Sequence, residues 1–146
     1  MSDRQGVDVL DGGMGRELAR RGAPFRQPEW SALALIEAPE TVSAVHESYA
    51  QSGARVITSN SYALVPFHIG EARFARDGAT LAALAGRLAR EVANRHPGVR
   101  VAGSLPPLFG SYRADLYQPE RVCELATPLI AALSPSVDIW LTETMS

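Results

Sequence analysis

Four short runs of apolar, β-branched residues recur along the chain and alternate with longer segments. The runs are Val7 to Leu10, Arg55 to Ser59, Val99 to Ser104 and Val137 to Thr142. Runs of this length and composition are typical of buried strands. Because parallel neighbours need a long connection between them, the alternation predicts an α/β fold with four parallel strands and intervening helices. It does not by itself distinguish an open sheet from a barrel.

Three of the intervening segments have helical periodicity. They are Pro39 to Gln51, Asp77 to Arg95 and Pro119 to Leu133, and each stops at glycine, proline or serine residues that break a helix. The expected core stripe of the second helix consists of Leu81, Leu84, Leu88 and Val92. The stretch from Tyr62 to Arg76 has no clear periodicity, and we expect a long loop there, of the kind that lines active sites.

The composition is that of an ordinary globular protein, with 46% apolar and 21% charged residues. We therefore expect residues 1–146 to form one domain. A net charge of −2 without a basic cluster gives no reason to expect nucleic acid or an anionic membrane as a partner. No segment has the length and hydropathy of a signal peptide or a membrane span, which predicts a cytoplasmic protein. Cys123 is the only cysteine, so an intramolecular disulfide is impossible.

Polar residues follow the predicted strands, at the edge of the sheet where parallel α/β folds bind ligands. Asp11 follows the first strand and Glu143 the last, so both carboxylates could face one pocket and bind an ammonium group. Gly12 and Gly13 lack side chains, which would let their backbone N–H groups approach a carboxylate. The arrangement predicts an amino acid ligand.

Each of these residues also has an ordinary structural interpretation. Asp11 could cap a helical turn around Arg16 to Arg20, and Glu143 could be a surface or ion-paired residue. Asn60 and Tyr62, after the second strand, could be turn and core residues.

An ordered series of motifs runs along nearly the whole chain. The motifs are Asp11-Gly12-Gly13-Met14-Gly15, Trp30-Ser31-Ala32, Val56-Ile57-Thr58-Ser59-Asn60-Ser61-Tyr62, Gly103-Ser104-Leu105-Pro106-Pro107 and Asp138-Ile139-Trp140-Leu141-Thr142-Glu143-Thr144-Met145. In this order, they resemble the homocysteine S-methyltransferase family. A phosphate-binding α/β protein is a weak alternative, because neither glycine-rich phosphate motif is present.

The resemblance implies a (β/α)8 barrel in which a zinc ion activates homocysteine for methylation to methionine. The donors of the family include S-methylmethionine, S-adenosylmethionine and betaine. By position, Asp11 and Glu143 resemble the carboxylates that hold the homocysteine amino group, and Gly12 resembles a backbone donor to its carboxylate. Asn60 lies beside that pocket. Trp30 resembles an aromatic residue near the donor, where it could attract a cation through its ring face, although it could equally be a core or loop anchor.

The chain departs from the family at the metal. The family's three zinc-binding cysteines lie in Gly-x-Asn-Cys and Gly-Gly-Cys-Cys segments, and this sequence has neither. Cys123 falls beside the apolar stripe of the third helix, so we interpret it as a structural thiol, and His68 alone does not have metal-ligand spacing. We therefore assign no catalytic or metal-binding residue to this chain.

Four βα units make up the N-terminal half of a (β/α)8 TIM barrel. The open edges of such a half predict either self-association or pairing with a missing C-terminal half. We expect a partial homocysteine-binding domain that is inactive alone. The alternative is a non-catalytic amino-acid-binding or assembly module derived from the family.

Overall fold

The computed structural model describes residues 6–145, in which three strands form a parallel sheet. The strands are β1 (Val56–Thr58), β2 (Arg100–Leu105) and β3 (Ile139–Thr142), in the order β1-β2-β3. Val56 pairs with Arg100, and Ala102 pairs with Ile139. The α/β class and the parallel sheet predicted from the sequence are thus confirmed.

The segment before β1 differs from the prediction of a fourth strand over Val7 to Leu10. Only Leu10 forms a bridge, parallel to Val56, and the Val9 carbonyl accepts a hydrogen bond of 2.8 Å from the Arg55 N–H. The segment lies at the edge of the sheet, with Val7 88% and Val9 57% exposed. A strand paired on one side and unburied gains little from extending its ladder, which accounts for the short pairing.

Six α-helices lie within residues 6–145. They are α1 (Met14–Arg20), α2 (Ser31–Glu37), α3 (Pro39–Gln51), α4 (Pro66–Ile69), α5 (Glu71–Arg95) and α6 (Val122–Leu133). The predicted helix over Pro39 to Gln51 is confirmed at both ends. The segment from Pro119 to Arg121 is a 3-10 turn, so the third predicted helix begins later, at Val122. In this part of the chain, no helix combines the length and the hydropathy needed to cross a membrane.

The stretch predicted to be a long loop, Tyr62 to Arg76, is largely helical. It contains α4 and the first turns of α5, separated by Gly70 with φ of 83°. Its apolar residues have no regular spacing, but Leu64 and Val65 are fully buried. Tertiary burial and the proline at the start of α4, rather than amphipathic periodicity, therefore stabilise this segment.

The buried face of α5 is rotated away from the predicted leucine stripe, of which Val92 alone is fully buried. Leu81, Leu84 and Leu88 are only partly buried, whereas small residues face the core. The fully buried positions in the middle of the helix are Ala82, Ala85 and Ala89. Alanines let a helix approach its neighbours closely, and the leucines then cover the margins of the contact.

Two apolar clusters pack against α5. One cluster joins α5 to α6 through Leu125, Leu129 and Leu133, and another joins it to the sheet through Ile57 and Val101. This packing places the helices behind the sheet and leaves the carboxyl ends of the strands open for the site described next.

Candidate functional site

A cleft of about 500 Å³ opens at the carboxyl ends of β1 and β3. It is lined by Leu10, Asp11, Gly12, Gly13, Met14, Gly15, Ser31, Thr58, Ser59, Asn60, Tyr62, Leu141, Glu143 and Thr144. The structure therefore brings together four of the five predicted binding residues, Asp11, Gly12, Asn60 and Glu143. The fifth, Trp30, is not part of the lining but precedes Ser31, which is.

Asp11 is held by Thr58, the last residue of β1. The Thr58 backbone N–H donates to one carboxylate oxygen at 2.8 Å, and its hydroxyl donates to the other at 2.9 Å. Gly13, not Asp11, precedes α1, and that helix start has no side-chain cap. The interpretation of Asp11 as a helix cap is therefore wrong. The carboxylate is instead fixed at the wall of the cleft.

Burial raises the pKa of the Asp11 carboxyl above its ordinary value. The hydrogen bonds from Thr58 oppose this rise, while the negative charge of Glu143 adds to it. Two carboxylates thus face the same cleft and repel each other electrostatically.

Glu143 follows β3, and its backbone N–H donates to the Leu105 carbonyl at 3.2 Å, which extends the pairing of β2 and β3 by one residue. Its side chain is half-buried. Among the residues that the structure describes, no arginine or histidine forms an ion pair with either Glu143 or Asp11. The cleft therefore holds two carboxylates without a protein cation, and a ligand ammonium would complement both.

Gly12 and Gly13 form an irregular segment between Asp11 and α1, which is called the glycine turn below. Within residues 6–145, the N–H groups of Gly12 and Gly13 donate no hydrogen bond to another backbone carbonyl. Gly13 is extended, with φ of −65° and ψ of 116°. These backbone donors are thus free to bind a ligand carboxylate at the same end of the cleft.

Asn60 is buried, and its side-chain amide donates to the Ser31 carbonyl at 3.0 Å. This bond ties the loop after β1 to the start of α2. Behind the loop, the hydroxyls of Ser59 and Ser61 lie 2.8 Å apart, and the Ser61 hydroxyl donates to the Ser104 carbonyl at 2.9 Å. These contacts hold the floor of the cleft in place.

The two aromatic residues for which the sequence also allows a purely structural role, Tyr62 and Trp30, have different surroundings. Tyr62 lines the cleft, and its hydroxyl pairs with that of Ser111. Trp30 is 38% exposed, has φ of 48°, and its ring lies 5.4 Å from that of Phe25, between centroids. A contact between Trp30 and a methyl donor stays a prediction.

The cysteine and histidine side chains of this chain do not fit a zinc site. Cys123 lies in α6 but is exposed, so the prediction that it packs beside the apolar stripe is wrong. His68 lies in α4, outside the cleft lining, with its Nδ1 3.1 Å from the Pro28 carbonyl. In residues 6–145, no three His, Cys, Asp or Glu residues are grouped so that they could hold a metal ion.

Two site contacts were missed by the sequence analysis. Thr58 ends β1 and holds Asp11, and its position at the end of an apolar run is the sequence signal that could have identified it. Tyr49 lies within the predicted helix over Pro39 to Gln51, but its hydroxyl donates to the Gly13 carbonyl at 3.1 Å. No local pattern predicts a contact between residues 36 positions apart in the sequence.

The fold and the cleft define an α/β protein that presents paired carboxylates and free backbone donors at the ends of parallel strands. Comparison with known proteins makes the assignment specific. The family model described as homocysteine S-methyltransferase matches residues 8–146. The chain belongs to this family.

Individual relatives agree with this assignment. The homocysteine S-methyltransferase of Escherichia coli is 38% identical over 123 residues, which are 77% of this chain and 39% of the relative. A selenocysteine Se-methyltransferase of Brassica oleracea is 39% identical over 62 residues, covering 42% of this chain and 18% of the relative. The metallated form of the E. coli homocysteine methyltransferase MmuM superposes with a TM-score of 0.83 at 29% identity. That superposition covers 98% of this chain and 55% of the MmuM chain. The chain thus spans about half or less of these proteins.

Proposed function

We propose that this chain is the homocysteine-binding part of a homocysteine S-methyltransferase, and that residues 1–146 form the N-terminal half of its (β/α)8 barrel. The observation that carries the proposal is the pair of carboxylates, Asp11 and Glu143, in one cleft, with no arginine or histidine among residues 6–145 in its lining. Family membership supports the choice of homocysteine among amino acids.

In this proposal the ligand binds through both of its charged groups. Its ammonium lies between the carboxylates of Asp11 and Glu143, and its carboxylate accepts hydrogen bonds from the Gly12 turn. Asn60 supports the adjoining wall through its bond to Ser31. The thiol then projects away from the turn, toward the part of a complete barrel that this chain does not supply.

Methyl transfer itself is assigned to the complete enzyme. A zinc ion of the kind that the family resemblance implies would supply a homocysteine thiolate, but no three His, Cys, Asp or Glu residues among residues 6–145 are grouped so that they could hold it. The donor would be of the S-methylmethionine, S-adenosylmethionine or betaine type, with Trp30 near its cationic group. We therefore expect the chain alone to form no methionine from homocysteine, donor and zinc. Sustained methionine formation by the purified chain would contradict this expectation.

The open sheet edges bear on the partners of this chain. We propose that they associate with a second copy or with a C-terminal half of the barrel. We also propose that the protein is cytoplasmic.

The alternative is a non-catalytic amino-acid-binding or assembly module. It is supported by a cleft in which the residues proposed to bind the ligand ammonium and carboxylate all belong to this chain. A stable oligomer that binds homocysteine without metal would favour this alternative.

Homocysteine titration of the chain under reducing conditions, followed by calorimetry, tests the proposed ligand. Asp11→Asn and Glu143→Gln should each weaken binding by roughly 10- to 100-fold, because each removes a charge-assisted contact. The matched control is Glu120→Gln, which neutralises an exposed carboxylate outside the cleft and should leave affinity unchanged. Equal affinity in all four proteins, or no binding by the unmodified chain, would overturn the proposal.

Binding should also depend on pH in a defined direction. The ammonium contact needs an ionised Asp11, and the pKa of that carboxyl is raised. Affinity should therefore fall as the pH drops, beginning above the range in which an ordinary aspartate takes up a proton. In Asp11→Asn, the affinity for homocysteine should no longer fall over this pH range.

A further inference from the structure

Tyr49 connects α3 to the glycine turn of the cleft. Its hydroxyl donates to the Gly13 carbonyl at 3.1 Å, and the same carbonyl accepts the Glu17 N–H at 3.3 Å. Glu17 belongs to the first turn of α1. One carbonyl thus anchors the turn both to α1 and to the ring on α3.

The Tyr49 ring also occupies the space beside Gly12. A Cβ atom built on Gly12 would lie 2.8 Å from the Tyr49 hydroxyl oxygen and 2.9 Å from Cε1. By contrast, a Cβ atom on Gly13 would meet nothing within 4 Å. The ring therefore packs directly on the backbone of Gly12, and it limits how far the turn can move away from the cleft.

Tyr49 itself is not part of the cleft lining. Burial and the nearby charges of Glu17 and Asp11 raise the pKa of its hydroxyl, so the group stays protonated and remains a donor. Tyr49 can therefore affect a bound ligand only by positioning the backbone of Gly12 and Gly13, which it contacts.

We propose that Tyr49 is a positioning residue, which fixes the Gly12-Gly13 turn so that the backbone N–H groups of the turn can hold the carboxylate of the amino acid ligand. This inference takes the identity of the ligand from the proposed function. The ordering of the turn by Tyr49 does not depend on that function. Fixed donors lose less conformational freedom on binding than mobile ones, which is the physical advantage of the contact.

Tyr49→Phe tests the role of the hydroxyl, since it removes one hydrogen bond and retains the ring. Binding of homocysteine should weaken by roughly fivefold, the value of one ordinary hydrogen bond. Binding of 3-amino-1-propanethiol, which has the ammonium and thiol but no carboxylate, should be unchanged. Tyr112→Phe is the matched control, because Tyr112 is 84% exposed and lies outside the cleft. An equal loss for both ligands, or no loss for either, would overturn the proposal.

The ligand-free chain supplies an independent measurement. Amide hydrogen exchange followed by NMR should be faster at Glu17, whose N–H donates to the Gly13 carbonyl, in Tyr49→Phe than in the unmodified chain, with β2 unchanged. Unchanged exchange at Glu17 would refute the positioning role even if homocysteine binds. Faster exchange in a chain that fails to bind homocysteine would retain the role of Tyr49 and reject the proposed function instead.

Discussion

His46 shows at the scale of one residue how burial controls charge. Its side chain lies on α3 with no exposed surface, and neither ring nitrogen has a hydrogen-bond partner among residues 6–145. Burial lowers the pKa of the imidazole from its ordinary value of 6.5 to about 4. The folded chain therefore keeps His46 neutral at a pH where the unfolded chain already binds a proton.

The expected consequence is a loss of stability in acid. As the pH falls from about 6.5 to about 4, the unfolded state takes up a proton that the folded state does not, so the free energy of unfolding decreases. The part due to His46 is on the order of 3 kcal/mol. His46→Leu should remove this part of the pH dependence, as measured by urea unfolding at several pH values. The same slope in both proteins would show that His46 does not titrate in this way.

Residue positions in the cleft were predictable where they follow strands. Asp11, Gly12, Asn60 and Glu143 come directly after apolar runs, and parallel strands end at a common edge. Their contacts were not predictable, because the partner of Asp11 lies 47 residues away in the sequence.

Gly103 illustrates how neighbouring elements constrain each other. It lies in β2, in register with Trp140 of β3. A Cβ atom on Gly103 would be 2.8 Å from Cε3 of Trp140 and 3.0 Å from Cγ1 of Val137. The indole and the valine therefore occupy the space that any side chain at position 103 would need.

Gly103→Ala should lower the free energy of unfolding by about 1–3 kcal/mol, the usual cost of overpacking. Adding Trp140→Ala should recover part of this loss, because it removes the larger of the two neighbours. Gly13→Ala is the comparison, since its Cβ meets nothing and its φ of −65° suits alanine, so its cost should stay below about 1 kcal/mol. Chemical denaturation is measured for the unmodified chain, for Gly103→Ala, Trp140→Ala and Gly13→Ala, and for the double variant. A fully additive double variant would rule out a direct steric contact.

Among the elements, regular helices were predicted better than irregular segments. The bounds of α3 follow from its proline start and its periodicity. The helices α2 and α4 have seven and four residues, too few to show a period, and were missed. The first predicted strand is confirmed only as the parallel bridge between Leu10 and Val56, because an apolar run indicates burial, whereas Val9 is exposed at the sheet edge.

At the scale of the whole molecule, apolar side chains are exposed at both margins of the sheet. Val7 and Val9 lie beside β1, and Trp140 on β3 is 42% exposed. The chain spans 39% of its E. coli relative and 55% of the MmuM chain. These exposed margins support the proposed association through the sheet edges.

We therefore expect the purified chain to associate. Light scattering should give a mass above the 15.7 kDa of one chain, rising with protein concentration. Val9→Glu places a charge on the exposed edge and should shift the distribution toward the monomer. Glu120→Gln, away from this edge, serves as the control. A monomer at every concentration tested would contradict the proposed association.

The sequence by itself determined the fold class, the main helices and the set of polar residues at the strand ends. These features are local, because they follow from the spacing of apolar residues and from the order of strands and helices. Only the tertiary structure decided that Thr58 holds Asp11, that Tyr49 packs on Gly12, and that the cleft carboxylates have no arginine or histidine as an ion-pair partner among residues 6–145. Such contacts join residues that are distant in sequence, and their geometry depends on how the whole chain packs.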